Sequence, residues 1–152
     1  MKVLITGGLG FIGSHIATHL HSKGHSIIVI DNLSRPHPNL KQTPKGNYTE
    51  NYIRENYPDI SIFKVDVRNI DKMDKILNNI GPQIVIHTAG QVSAVDSVKR
   101  PRFDFENNVM GLFNVLEAAR LCGTVNLFIY LSTNKVYGKN TSTMETPINE
   151  NF

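Results

Sequence analysis

Three glycines, Gly7, Gly10 and Gly13, stand in "ITGGLGFIGSHIA", and an acid, Asp31, ends the next apolar run. A strand, a glycine turn, a helix and then an acid at a strand end is the arrangement that holds a dinucleotide. Gly7 permits the tight turn, Gly10 lets the backbone approach a pyrophosphate, and Gly13 lets the helix pack closely on the strand. The helix N-terminus then faces the phosphates. The Asp31 carboxylate can accept hydrogen bonds from both hydroxyls of an adenosine ribose and repels a 2′-phosphate, which favours NAD over NADP. Arg35 pulls the other way, because a guanidinium can pair with a phosphate. Near the other end, "YLSTNKVYGKN" puts two hydroxyls, Ser132 and Thr133, at the close of another apolar run. Such a pair either satisfies a turn or meets a substrate.

Alternating strands and helices position these groups. "KVLIT" (2–6) is a short buried strand ending at glycines. Ile12, Ile16 and Leu20 recur at helical spacing from Phe11 to Lys23, with Gly24 beyond the end. Strands follow at 26–31, 60–66, 83–87 and 125–132. Helices are predicted over 69–81 and from Pro101 to Cys122. The segment from 35 to 58 holds Pro36, Pro38, Pro44 and Pro58 and reads as a long irregular connection, with a helical turn or two around "TENYIREN". Strands joined by helices require crossovers, so the expected fold is α/β, a doubly wound parallel sheet covered on both faces and ending after its fifth strand. That last strand would be an exposed edge, prone to pairing with itself.

A chain of 152 residues, 40% hydrophobic and 19% charged, fits one globular domain. The net charge of +3 comes without a run of Lys or Arg, so nucleic-acid binding is not expected. No apolar stretch is long enough to span a membrane. The one cysteine, Cys122, rules out an internal disulfide framework and fits a reducing, cytoplasmic setting.

Beyond these patterns the chain resembles the extended short-chain dehydrogenase/reductase family, the NAD-dependent epimerases and dehydratases of sugar nucleotides, whose cofactor domain is of the Rossmann type. "TGGLGFIGSHIATHL" looks like its cofactor loop, "DNLSR" its ribose-binding strand end, "DVRN" its adenine contact and "IVIHTAGQ" its fourth strand. "DFENNVMGLFNVLEAAR" is similar to its long helix, and "LSTNKVYG" to the strand that brings the active-site Ser or Thr to the substrate. The resemblance implies NAD contacts at Gly7, Gly10, Phe11, Ile12, Gly13, Asp31, Asn32, Ser34, Arg35, Asp66, Val67, Ala89, Gly90 and Gln91. Asp66 would bond the adenine amino group, or else cap the next helix. "DNLSR", "AGQVS", "DFE" and above all "STNKVYG" are closest to the CDP-paratose/CDP-tyvelose 2-epimerase branch. A nucleotide-linked sugar, with CDP favoured, is the implied substrate and a homo-oligomer an implied possibility. A 4-epimerase, a 4,6-dehydratase and a non-catalytic NAD-binding fragment are the alternatives.

In that family a Ser or Thr at the end of the fifth strand bonds the sugar hydroxyl being oxidised, which implies Thr133 first and Ser132 second. The family's catalytic Tyr is followed by Lys at the fourth position. None of Tyr48, Tyr52, Tyr57, Tyr130 and Tyr137 is, and position 141 is Thr. The chain therefore resembles the cofactor-binding part of a longer enzyme, expected to be inactive alone without that Tyr–Lys pair and a C-terminal substrate domain. His15 and His19 read as a solvent-facing pair rather than a metal site. His87 reads as packing beside the cleft, and Asn108 as bonding backbone in the sheet. Gln91, Val92 and Ser93 should lie near the nicotinamide and sugar. Lys135 reads as solvated, and Cys122 as a small apolar residue.

Overall fold

The computed structural model describes residues 1–34 and 47–133. Five strands, β1 (Lys2–Thr6), β2 (Ser26–Asp31), β3 (Ser61–Lys64), β4 (Ile84–His87) and β5 (Leu127–Tyr130), form one parallel sheet in the order β3-β2-β1-β4-β5. The helices are α1 (Phe11–Ser22), α2 (Tyr48–Asn56), α3 (Ile70–Ile80), α4 (Ala94–Lys99), α5 (Pro101–Phe105) and α6 (Gly111–Cys122), with a π-helical turn at Glu106–Met110 joining the last two. The sheet is of the doubly wound, Rossmann type that the alternating pattern implies.

The two faces follow from strand alternation. Val3, Ile5, Ile27, Val29 and Ile86 bury against Ala17 of α1 and Ile53 of α2. Leu4, Ile28, Ile30 and Val85 bury on the opposite face against Met73 and Leu77 of α3 and Val115, Ala118 and Ala119 of α6. The side covered by helices changes between β1 and β4, and at such a switch point a crevice opens beyond the carboxyl ends of the strands.

Several boundaries differ from the sequence expectation, and pairing explains most of them. β2 ends at Asp31, whose partner is Lys64, so β3 stops there, two residues before Asp66. β4 ends at His87, opposite Tyr130. Leu131 N–H still reaches His87 O at 3.2 Å, but Ser132 and Thr133 follow the last ladder pair and lie outside the strand rather than in it. The 35–58 connection contains a nine-residue helix, α2, begun by Asn47, whose side chain accepts the N–H groups of Thr49 and Glu50. The short α4, capped by Ser93, was not anticipated; its six residues are too few to show a period. Arg35, Lys135 and Tyr137 lie outside the described residues.

Candidate functional site

The glycine turn sits at the switch point. Gly7 has φ +67°, and a β-carbon built there would lie 2.6 Å from Ala89 N, against the turn that follows β4. At Gly13 a β-carbon would strike the Gly7 carbonyl oxygen and stand 2.7 Å from Thr88 Oγ1, so only glycine lets α1 sit this close. Gly10 caps α1 with no side chain and is exposed. The first helical hydrogen bond runs from Ser14 N–H to Gly10 O, which leaves the N–H groups of Phe11, Ile12 and Gly13 ahead of the ladder. α2, α3 and α4 have their first turns bonded by Asn47, Asn69 and Ser93, whereas α1 has no side-chain cap among the described residues.

Beyond these donors opens a cleft of about 710 Å³. Gly7, Gly10, Phe11, Ile12 and Gly13 line one wall, and Asp31, Asn32 and Ser34 line the end beyond β2. Val67 and the turn Ala89–Gly90–Gln91 face them. Most of the cofactor residues expected from sequence are thus brought to one cavity. Val92, Ser93 and Asn107 line it as well, with Asp96, Arg100 and Phe103 at its far side. The last three had no sequence signal, because they reach the cleft only through α4 and its junction with α5.

Asp31 is tied to the glycine turn itself. Its Oδ2 accepts Leu9 N–H at 3.0 Å and its Oδ1 accepts Leu33 N–H at 2.8 Å. Burial pushes its carboxyl above the ordinary value, against the pull of these two N–H groups, and the nearby Glu50 charge pushes the same way. Leu33 takes φ +56°, an uncommon conformation for a leucine, and packs on the α1 side.

Asp66 is placed differently from Asp31. It is not in the cleft lining; Arg68 grips it through Nε at 3.0 Å and Nη2 at 2.7 Å, and Asn32 Nδ2 donates to it at 2.9 Å. The Arg68 hydrogen bond leads the effects that hold its carboxyl down at about 2. Nor does it cap α3; Asn69 does, accepting Lys72 N–H at 3.0 Å. Ser132 and Thr133 are exposed and do not line the cleft.

Asn108 bonds backbone, but that of the turn after β4 rather than of the sheet. Its Oδ1 accepts Gln91 N–H at 2.7 Å and its Nδ2 donates to Gln91 O at 2.9 Å. It lies in the π-helical turn, a device frequent at functional sites. His87 is 1% exposed, with Nδ1 at 2.8 Å from Thr6 Oγ1 and its ring beside those of Phe128 and Tyr130. Desolvation lowers its pKa to about 4, so it is neutral near pH 7. His15 places Nδ1 at 2.7 Å from the Phe11 carbonyl of its own helix.

Helical donors and a neighbouring carboxylate in one cleft suit a diphosphate and a ribose diol. Among described residues no helix is long and apolar enough to cross a membrane. Over 138 residues the chain is 39% identical to CDP-paratose 2-epimerase of Salmonella typhi, covering 91% of this chain and 38% of that relative. It is 34% identical to a UDP-glucose 4-epimerase of Klebsiella pneumoniae, covering 91% of this chain and 93% of the other. A crystal structure of UDP-glucose-4-epimerase from Stenotrophomonas maltophila, with bound NAD and formylated UDP-arabinopyranose, superposes with a TM-score of 0.78 at 27% identity. That match covers 93% of this chain and 39% of the other. The chain thus spans well under half of the Salmonella relative and of the solved enzyme. The model of the NAD dependent epimerase/dehydratase family matches residues 3–152, and the chain belongs to that family.

Proposed function

We propose that the cleft binds NAD and that the chain is the cofactor-binding part of a nucleotide-sugar epimerase of the 2-epimerase type. The observation that carries the cofactor reading is the bond from Leu9 N–H to Asp31, which joins the glycine turn and the ribose acid in one cavity. The N–H groups of Phe11, Ile12 and Gly13 donate to the diphosphate, and Gly10 leaves room for its oxygens. Asp31 keeps lone pairs for the ribose hydroxyls, and its charge disfavours a 2′-phosphate. Val67 packs against the adenine; Asp66, held by Arg68, is left to orient Asn32 beside it. The turn at Ala89, Gly90 and Gln91 borders the nicotinamide.

The hydroxyl of Thr133, or of Ser132, bonds the sugar hydroxyl at the reacting carbon. NAD, if bound in the cleft, would supply the hydride acceptor and donor for that carbon, and the hydroxyl proton would pass to the acid/base that the family's Tyr–Lys pair provides. No Tyr of this chain is followed by Lys at the fourth position, so the chain alone turns over slowly; a missing positioned acid/base typically costs about 10²–10⁴-fold.

Identity to the Salmonella 2-epimerase supports inversion at C2 of a CDP-sugar, and the Klebsiella and Stenotrophomonas relatives support a second reading, inversion at C4 of a UDP-sugar. The test is calorimetric titration with NAD and NADP, followed by proton NMR of CDP- and UDP-hexoses incubated with the chain and NAD. Binding of NAD in preference to NADP, with signals from C2 inversion accumulating only over long incubation, is the expected result. C4 inversion establishes the second reading, and NAD binding without turnover leaves a cofactor-binding module. No binding of either dinucleotide to folded chain removes the proposal.

A further inference from the structure

One cation stands beside the acid that would read the ribose, and a buried carboxylate holds it together with a second cation. Lys64 pairs with Asp31 across the β2–β3 ladder. Val29 and Ile62, two residues earlier on each strand, both pack on the α1–α2 side, so Asp31 and Lys64 project from the same face. A lysine there has the reach to meet a phosphate bound just past Asp31. Its Nζ is instead 2.9 Å from Glu50 Oε2 on α2. Arg54 gives its Nε and Nη2 to Glu50 Oε1, each at 3.0 Å. Glu50 is 5% exposed, whereas the side chains of Lys64 and Arg54 are more than half exposed. Burial raises the Glu50 carboxyl, but the two cations outweigh it and hold the group below its usual value. Glu50 also bears on Asp31 through its charge.

We infer that Glu50 is a specificity-determining residue: by holding Lys64 to α2, it denies a 2′-phosphate that cation and leaves Asp31 to exclude NADP. This rests on the reading of the cleft as a dinucleotide site. The carboxylate at a strand end is then half of the selection. The other half is a glutamate in the connection between β2 and β3, which keeps a neighbouring lysine from cancelling it. A released Lys64 would favour NADP in either of two positions, paired with Asp31 or bonded to the phosphate.

The experiment titrates the wild-type chain, Glu50→Gln and Glu50→Asp with NAD and NADP and reads the ratio of the two dissociation constants. That ratio does not depend on the folded fraction. Glu50→Gln is expected to move it toward NADP by about three- to tenfold at low salt, less at high salt, since the Lys64 it releases is more than half exposed and so screened by salt. Glu50→Asp, which keeps the charge but withdraws it by a methylene, is expected to shift the ratio the same way by less, and it serves if Glu50→Gln does not fold. Adding Lys64→Gln to either should bring the ratio back. A wild-type chain that binds NAD, with the ratio unmoved in the folded variants, overturns the inference alone. A wild-type chain that binds neither dinucleotide overturns the site and the inference with it.

Discussion

Gly10 and Gly13, three residues apart on one turn, should fail differently when each becomes alanine. At Gly13 the new methyl meets the Gly7 carbonyl, Thr88 Oγ1 and Gly8 Cα, the last at 2.8 Å. Two of those atoms are backbone and cannot rotate away, so α1 must shift off the sheet. Overpacking of that kind costs about 1–3 kcal/mol, and the alanine's better helix propensity returns at most about 1 kcal/mol. At Gly10 φ is −76°, which any residue adopts, and the nearest atom to a new methyl is Gly7 O at 3.1 Å. The folding cost there is that of a poorer N-cap, about 1 kcal/mol or less. The same methyl projects where the diphosphate would lie, so NAD binding should weaken at least about tenfold, or about 1.4 kcal/mol. Urea unfolding with calorimetric titration separates the two effects. With a slope of about 1–3 kcal/mol per molar, a loss of about 2 kcal/mol moves the midpoint by about 0.7–2 M. Gly13→Ala should show that loss of midpoint, and Gly10→Ala should lose mainly binding. If Gly10→Ala bound NAD as the wild type does, or lost as much stability as Gly13→Ala, the division of roles would be wrong.

Two other residues give sharper tests of the framework around the cleft. His87 has a folded pKa of about 4, below the ordinary 6.5, so its contribution is fully present above pH 6.5 and is lost as pH falls toward 4. The loss reaches about 2 kcal/mol at pH 5 and about 3 kcal/mol below pH 4. Urea melts between pH 7 and pH 4.5 should therefore steepen for the wild type relative to His87→Gln, and parallel slopes would sink the argument. Asn108→Ala removes both hydrogen bonds to the Gln91 backbone, for about 2 kcal/mol together. Hydrogen exchange should then quicken at Gln91 while the β1–β4 ladder stays protected; equal quickening at both would mean that Asn108 supports the whole sheet.

The parts of this fold legible in the sequence are those governed by local period. The runs at 2–6 and 26–31 carry unbroken apolar centres, Val3–Ile5 and Ile27–Ile30, because both faces of those strands are buried there, and the structure returns their bounds unchanged. Where a strand's end depends on its partner, the sequence is silent. Nothing in "VNLFIYLS" says that His87 ends β4 and so ends β5 at Tyr130, leaving Ser132 and Thr133 past the ladder. Asn108 was legible as a backbone-bonding amide but not as one aimed at Gln91, since its direction comes from the π-helical turn. Arg100 and Phe103 were invisible for the same reason. They lie outside any motif, and only the break between α4 and α5 brings them to the cleft.

Asp31 and the glycine turn, which the sequence joins as one pattern, are also joined physically by a hydrogen bond. Leu9 stands between Gly7 and Gly10, and its N–H is spent on Asp31 rather than on a ligand. The acid therefore fixes the height of the turn as well as the polarity of the cleft end. Leu33, which donates to the other carboxylate oxygen from a left-handed conformation, anchors the far side. An amide at position 31 has one acceptor oxygen where the carboxylate has two, so it could serve only one of these N–H groups and would oppose a donor to the other. A substitution there cannot act on cofactor choice without also disturbing the diphosphate donors. Glu50 is free of that difficulty, because it touches neither Leu9 nor Leu33 in any hydrogen bond seen among the described residues and bears on Asp31 only through charge. Selectivity for the 2′-position is therefore better tested at Glu50 than at the acid the motif singles out.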